Sequence, residues 1–172
     1  MKELDKKDCL ILNILQENCR ISLTDISKKV GLSIDSIKKR MKRMIKDEIF
    51  YPKIQIRPRN FGFKNIVDIK IKIHDYNEED KSQFINFLEK NPYVAEIFSV
   101  SGDWDFSIVI ITKDAEDLGS IIESIRNKFS YMISDWSESF TTHAYKFETY
   151  DLIELMGFKE GIQWICSKTK QY

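Results

Sequence analysis

The sequence predicts an α+β protein with two modules, an N-terminal winged helix-turn-helix and a C-terminal ferredoxin-like βαββαβ domain. Residues 21–44 contain two short amphipathic helix patterns around a glycine turn, and residues 65–147 alternate strand and helix patterns. The charges separate in the same way: residues 1–64 hold 16 Lys and Arg against 8 Asp and Glu, whereas residues 65–172 hold 11 against 19. We therefore expect a basic module that meets phosphate, joined to an acidic module that does not.

The composition is that of a globular protein, because 42% of the 172 residues are hydrophobic and 31% are charged. No apolar run approaches the roughly 18 residues of a membrane span, and the N-terminus lacks the apolar core of a signal peptide. The three cysteines show no C-x-x-C spacing and fit a reducing compartment. We expect a cytoplasmic protein that uses no membrane, no metal and no cofactor.

The first helix is expected over residues 4–18. Asp5 can cap it, and Asp8 stands at its third position, where both carboxylates favour the positive end of the helix dipole. Its buried stripe is expected to contain Cys9, Ile11, Leu12 and Leu15. This helix gives the two following helices a surface on which to pack.

The helix-turn-helix is predicted from its caps and its turn. Ser22 can cap a helix whose apolar side is Ile26 and Val30. Gly31 supplies the positive φ that ends this helix and turns the chain. Ser33 can then cap a longer second helix.

This second helix is expected to enter the major groove of double-stranded DNA. Its apolar residues recur at helical spacing on one side, so Ser36, Lys39 and Arg43 point the opposite way. Phosphates are expected to bind Arg40, Lys42 and Arg57. A merely solvated basic helix is the alternative, but the caps and the glycine turn favour DNA. The full set of expected DNA-binding residues is Ser22, Ser33, Asp35, Ser36, Lys38, Lys39, Arg40, Lys42, Arg43 and Arg57.

Residues 51–64 predict a wing and a linker strand. Polar residues alternate there with Ile54 and Ile56, which is the period of a strand. Pro52 and Pro58 exclude a central position in a sheet, so we expect an edge strand. Arg59 either reaches phosphate or protects the exposed edge by its charge.

The second module reads as a split βαβ sandwich. Two helices should cover one face of its sheet, and the other face should carry apolar side chains that a second copy would cover. The expected strands are 66–73, 94–100, 106–112 and 136–147, and the expected helices are 77–90 and 114–129.

The C-terminal residues give a weaker pattern. A short helix is expected over residues 150–156, ended by Gly157 and Gly161, and a short strand over residues 162–165. The predicted divisions of the whole chain are 1–50 helix-turn-helix, 51–64 wing and linker, 65–147 βαββαβ domain, and 148–172 C-terminal extension.

The chain resembles the Lrp/AsnC (feast/famine) transcriptional regulators over roughly residues 3–147. The matching segments are Leu4-Asp5 with Asp8, Ile11, Leu12 and Leu15; Arg20-Ile21-Ser22; Val30-Gly31-Leu32-Ser33; Arg40-Met41-Lys42-Arg43-Met44; and Val100-Ser101-Gly102-Asp103-Trp104-Asp105. The resemblance implies DNA binding, a domain that binds small effectors, often amino acids, and dimers that associate to tetramers or octamers.

Two features depart from the family's pattern. Glu48 stands where the family usually has the glycine that follows the recognition helix. A left-handed conformation there costs a non-glycine residue roughly 1 kcal/mol, so we expect the helix to end differently. The chain also extends past the family's usual C-terminus, which leaves the assembly open.

The turn at residues 101–105 is the expected effector site. Gly102 allows close approach of a ligand to the backbone, and Asp103 and Asp105 could accept hydrogen bonds from an α-ammonium group. Trp104 could cover an apolar side chain. The resemblance places the family's effector pocket near this turn, at an interface between dimers. An ordinary hairpin turn without a ligand is the alternative.

Two other functions compete with the effector-modulated regulator. Sirohaem decarboxylase subunits resemble the same architecture, but the acidic module offers only His74, His143 and Arg126 to a polyanionic tetrapyrrole. We therefore predict that the chain is not an enzyme. An architectural DNA-binding protein without a ligand stays open, with the second module serving only to assemble oligomers.

Overall fold

The computed structural model describes residues 3–158. They form two compact units, one made of residues 56–145 and the other of the residues up to 55 together with those from 146. The described helices are α1 (Lys6–Glu17), α2 (Leu23–Val30), α3 (Ile34–Lys46), α4 (Glu78–Glu89), α5 (Ala115–Phe129) and α6 (Leu152–Leu155), and the strands are β1 (Asn65–Ile73), β2 (Val94–Ser99), β3 (Phe106–Thr112) and β4 (Ile133–Phe140). None of these helices is both long and apolar enough to cross a membrane.

The first unit contains α1, α2, α3 and α6, and the first three of these helices have the N-caps that the sequence predicts. Asp5 accepts from the Asp8 backbone N–H at 2.9 Å, and the Asp8 carboxylate accepts from the Asp5 N–H at 3.2 Å. Ser22 and Ser33 cap α2 and α3, and Gly31 has φ 69° between them. The apolar sides of the helices meet in a core of Ile11, Leu12, Ile26, Val30, Ile37 and Met44.

The expectation that α3 ends differently from its relatives is wrong. Glu48 adopts φ 55°, its N–H donates to Ile45 O at 3.1 Å, and the N–H of Ile49 donates to Met44 O at 2.9 Å. These two bonds form a Schellman motif with a glutamate at the position that favours glycine. The hydrogen bonds and the packing of Ile49 on the core hold the conformation despite the side chain.

Glu48→Gly should therefore stabilise the protein by about 1 kcal/mol. Thermal unfolding should show a rise of roughly 2–4 °C in Tm. The matched control is Glu123→Gly in the exposed middle of α5, which should destabilise by about 1 kcal/mol. A fall in Tm for Glu48→Gly would contradict the prediction.

The second unit confirms the ferredoxin-like fold. Its antiparallel sheet has the order β2-β3-β1-β4. Phe84 of α4 packs edge-to-face on Phe106 and on Phe129, with centroid distances of 5.3 and 5.0 Å. Helices α4 and α5 bury one face of the sheet, and the strands contribute Val67, Ile69, Ile71, Ile108 and Ile110 to this core.

The opposite face of the sheet is only partly apolar. The cross-strand register places Val109 and Ile111 on it, away from the buried Ile108 and Ile110. In its middle the Lys70 ammonium donates to Ser107 Oγ at 2.8 Å. The expected apolar face therefore has a polar centre.

The fourth strand begins and ends earlier than predicted. β4 stops at Phe140, which pairs with Val67 near the start of β1. The N–H of Thr141 still donates to Ile66 O, but beyond it the carbonyls of Thr141 and Thr142 accept from the Arg59 guanidinium. A side chain thus takes the bonds that a longer strand would have made.

The predicted linker strand does not form in the single chain. Residues 51–57 have no regular structure, and a 3-10 helix follows at Pro58–Phe61. Ile54 and Ile56 are 76% and 61% exposed. An edge strand needs a neighbouring strand for its hydrogen bonds, and within the described residues this segment has none. Its role as a wing stays a prediction.

The short C-terminal helix is confirmed as α6, and Gly157 follows it with φ 69°. It belongs to the same compact unit as α1, which the predicted division at residue 148 did not anticipate. Gly161 and the strand predicted over residues 162–165 lie outside the described residues.

Candidate functional site

The exposed side of α3 carries a row of cations. Lys38, Lys39 and Lys42 are exposed, as is Asp35, while Ser36 is half-buried. The opposite side is fixed by Ile37 and Met44, which are fully buried. The helix therefore presents the lysines to solvent in the orientation that the sequence predicts.

Arg40 and Arg43 are half-buried, and their guanidiniums bind carboxylates of α1 instead of lying in this exposed row. Arg40 Nη1 lies 2.6 Å from Asp5 Oδ2 and 2.8 Å from Asp8 Oδ1. Arg43 Nη2 lies 2.5 Å from Asp8 Oδ2. Both guanidiniums thus bind the start of α1, and their predicted contacts with DNA stay a prediction.

The buried carboxylate of Asp8 explains this arrangement. Its side chain is fully buried, and a buried charge needs a partner of opposite sign. Burial opposes the charge of Asp5, but Arg40 and the backbone N–H groups outweigh it and hold the pKa of that carboxyl below its usual value. The Nε of Arg43 is itself buried and makes no hydrogen bond within the described residues. Both arginines therefore fasten the recognition helix to α1.

The three predicted serines lie at helix N-termini. Ser22 Oγ accepts from the Asp25 N–H at 3.1 Å and donates to the Asp25 carboxylate at 2.6 Å. Ser33 Oγ accepts from the Ser36 N–H at 3.2 Å. Ser22 and Ser33 remain exposed, so phosphate can approach the positive ends of α2 and α3. Arg57 is half-buried and belongs to the second compact unit.

The turn at residues 101–105, the expected effector site, is exposed at residues 101–103. Gly102 has φ 131° with no atom within 4 Å of the position of a Cβ, and Asp103 is exposed. Trp104 is half-buried. The Asp105 carboxylate, however, accepts from the Ile73 N–H at 2.8 Å. Asp105 thus ties the turn to β1, and its role as a ligand acceptor stays a prediction.

A second concave surface, which no sequence pattern indicates, lies beside β4. The Arg126 guanidinium lies 5.8 Å from the centre of the Trp136 ring, in a groove that Glu123 and Asp135 also line. The groove therefore carries charges of both signs, and its arginine already faces an aromatic ring. Among the described residues no group of His, Cys, Asp and Glu side chains could hold a metal ion.

Comparison with known proteins tests the predicted resemblance. The model of the AsnC-type helix-turn-helix domain matches residues 4–45, and that of the Lrp/AsnC ligand binding domain matches residues 66–145. The HTH-type transcriptional regulator LrpA of Pyrococcus horikoshii is 30% identical over 122 residues, which cover 70% of this chain and 84% of LrpA. The chain belongs to the Lrp/AsnC family.

Solved structures agree with this assignment. An AsnC family transcriptional regulator from Agrobacterium tumefaciens has a TM-score of 0.78 and 26% identity, over 89% of this chain and 99% of its own. A regulator from Neisseria meningitidis, solved in complex with L-Met, shares the fold with a TM-score of 0.77 and 23% identity, over 90% of this chain and 99% of its own. This Lrp/AsnC protein is a DNA-binding transcriptional regulator with a ligand-binding domain.

Proposed function

We propose that this Lrp/AsnC regulator acts in the cytoplasm as a dimer that reads double-stranded DNA with α3. The observation that carries the proposal is the exposed row of Lys38, Lys39 and Lys42 on a helix whose arginines are held elsewhere. Lys39 and Ser36 point away from the buried side and are assigned to base edges, with Asp35 beside them. Lys38 and Lys42 are assigned to flanking phosphates.

The serines that cap the two helices complete the phosphate contacts. Ser22 and Ser33 stand at the N-termini of α2 and α3, where unpaired N–H groups and the helix dipole attract anions. Arg57 adds a contact from the linker. Selection of genomic DNA fragments by the purified protein tests the function directly: an enriched sequence motif is expected, and enrichment without a motif would favour an architectural role.

The exposed linker supports a dimer. Tyr51, Ile54 and Ile56 are each more than half exposed in the single chain, and the linker has the alternation of a strand without a partner. A second copy would supply that partner and place two recognition helices on half-sites about one helical turn, or a multiple, apart. Light scattering should give at least twice the chain mass of 20.4 kDa, and a stable monomer at micromolar concentration would exclude the dimer.

An amino acid is the proposed effector. The ligand-binding domain contains the turn at residues 101–105, and a structural relative is described as an L-Met complex. At this turn the exposed Asp103 can accept from an α-ammonium group, and backbone N–H groups near Gly102 can take the carboxylate. Trp104 can cover an apolar side chain. The ligand acts by its different affinity for two states of the assembly.

Asp103→Ala should weaken binding of that amino acid at least tenfold, because the ammonium loses a charged acceptor. Calorimetry with the twenty amino acids identifies the ligand first and then measures the variant. The matched control is Glu96→Ala, which removes an exposed carboxylate from β2 and should leave the affinity within about twofold. Equal affinity in Asp103→Ala and wild type would place the site elsewhere.

A further inference from the structure

The chain passes between its two units twice, once after Gln55 and once after Tyr145. The first connection is the linker, and the second leads to α6 in the first unit. Each connection is held at one end by contacts within the first unit and at the other end by contacts within the second unit. The C-terminal segment therefore forms a second connection between the two units, in addition to the linker.

A single glutamine of α1 holds both polar groups of one C-terminal residue. Gln16 Nε2 donates to Tyr150 O at 2.9 Å, and Gln16 Oε1 accepts from the Tyr150 N–H at 2.9 Å. This reciprocal pair is the arrangement by which two residues of adjacent antiparallel strands bind each other. It therefore fixes which residue of the segment lies opposite Gln16.

One turn earlier on α1, an asparagine binds the next two residues. Asn13 is fully buried; its Nδ2 donates to Asp151 Oδ1 at 3.0 Å, and its Oδ1 accepts from the Leu152 N–H at 3.0 Å. A buried amide without partners is costly. α1 thus carries a site built for this segment, and we call the contact of Asn13 and Gln16 with residues 150–152 the clasp.

The second unit fastens the other ends of the two connections to each other. The guanidinium of Arg59, in the 3-10 helix Pro58–Phe61, donates to Thr142 O at 2.7 Å and also to Thr141 O. In the first unit, Phe50 and Leu152 both pack against the same apolar core. Seven residues separate Thr142 from Tyr150, so the second connection spans at most about 25–30 Å.

We propose that the clasp is a detachable latch that limits the motion of the DNA-binding unit relative to the ligand-binding unit. A unit held by one connection can swivel about it, whereas a second short connection removes most of that freedom. On the basis of the proposed function, a closed clasp also restricts the dimer to a narrow range of spacings between its half-sites. An opened clasp lets each recognition helix reach half-sites at other spacings.

Asn13→Asp opens the clasp with almost no change of shape, because it replaces the donor to Asp151 by a second carboxylate. Adding Asp151→Asn restores a donor and an acceptor in reversed roles. Asp151→Asn alone is the matched control, since its Oδ1 can still accept from Asn13 and cap α6. The backbone N–H groups of Tyr150 and Leu152 should exchange with solvent at least tenfold faster in Asn13→Asp, and within about twofold of wild type in the other two variants.

Motion of the units is measured without DNA from the distance between two spin labels on one chain. One label is attached to the exposed Cys19 and the other to the cysteine that Ser120→Cys introduces, while Cys166→Ser removes a competing thiol. An excess of unlabelled protein suppresses distances between labels on different chains. The distribution of distances between the two labels should become at least twice as wide in Asn13→Asp. It should return to the wild-type width when Asp151→Asn is added. Unchanged width, or unchanged amide exchange, would overturn the latch.

Spacing is measured with operators in which one to five base pairs are inserted between the half-sites. The ratio of affinities for the best and worst spacing should fall at least fivefold in Asn13→Asp. A wider distance distribution with an unchanged spacing ratio would overturn the effect on DNA. If wild type binds no DNA at any spacing, the proposed function fails, while the width of the distribution still decides the latch.

Discussion

Asp8→Ala will lower the free energy of unfolding by about 3–5 kcal/mol, because it removes one partner of a buried charge network. The side chains of Arg40 and Arg43 are only 27% and 24% exposed. Arg40 retains Asp5, but Arg43 is left facing an apolar gap without its carboxylate. Denaturation in urea, with the slope held common to both proteins, measures the loss.

Asp25→Ala is the matched control, since Asp25 is the third residue of α2 as Asp8 is of α1. It is exposed, and its carboxylate accepts a hydrogen bond from the hydroxyl of the capping Ser22, so its removal should cost about 1 kcal/mol or less. Asp8→Leu combined with Arg43→Met should recover part of the loss, because apolar partners of similar volume tolerate burial. Equal losses for Asp8→Ala and Asp25→Ala would show that the network does not hold α3.

Lys39→Ala will weaken binding to the preferred DNA site by about 1–3 kcal/mol, roughly 5- to 150-fold, with a smaller effect on unrelated DNA. Lys42→Ala should weaken binding to all sequences alike and reduce the salt dependence by about one unit of slope. Fluorescence anisotropy at several salt concentrations separates these two effects.

Lys90→Ala, at an exposed lysine after α4, is the matched control and should leave DNA binding unchanged. Arg43→Met should lower stability first, since its guanidinium binds Asp8. If Lys39→Ala behaves like Lys90→Ala, α3 does not read the DNA bases. If Arg43→Met abolishes recognition without any loss of stability, the arginine leaves Asp8 in the complex.

Local chemistry explains why so much of the fold could be predicted. Asp5, Ser22 and Ser33 cap their helices by accepting from the backbone N–H three residues on. The strand at residues 65–73 can be predicted from the alternation of apolar and polar residues within it. The exposed lysines of α3 followed from the helical period, because burial of one side determines the other.

The failures all depend on partners distant in sequence. Asp8 and Arg43 are 35 residues apart, and Asn13 and Asp151 are 138 apart, so no local pattern could pair them. The bond between Asp105 and the Ile73 N–H likewise joins residues 32 positions apart, so no local pattern predicts it. The linker has the sequence of a strand, but its hydrogen bonds require another segment that the single chain does not offer within the described residues.

The lysine in the middle of the open sheet face also bears on the newly synthesised chain. A continuous apolar sheet face would adhere to other apolar surfaces that newly synthesised chains expose. Lys70, which donates to Ser107, places a positive charge on this face. An apolar surface that covered the ammonium would remove its water without offering a hydrogen-bond acceptor, which is unfavourable. Association through this face is thereby restricted to surfaces that present an acceptor to the ammonium, so misassembly is disfavoured from the moment the sheet forms.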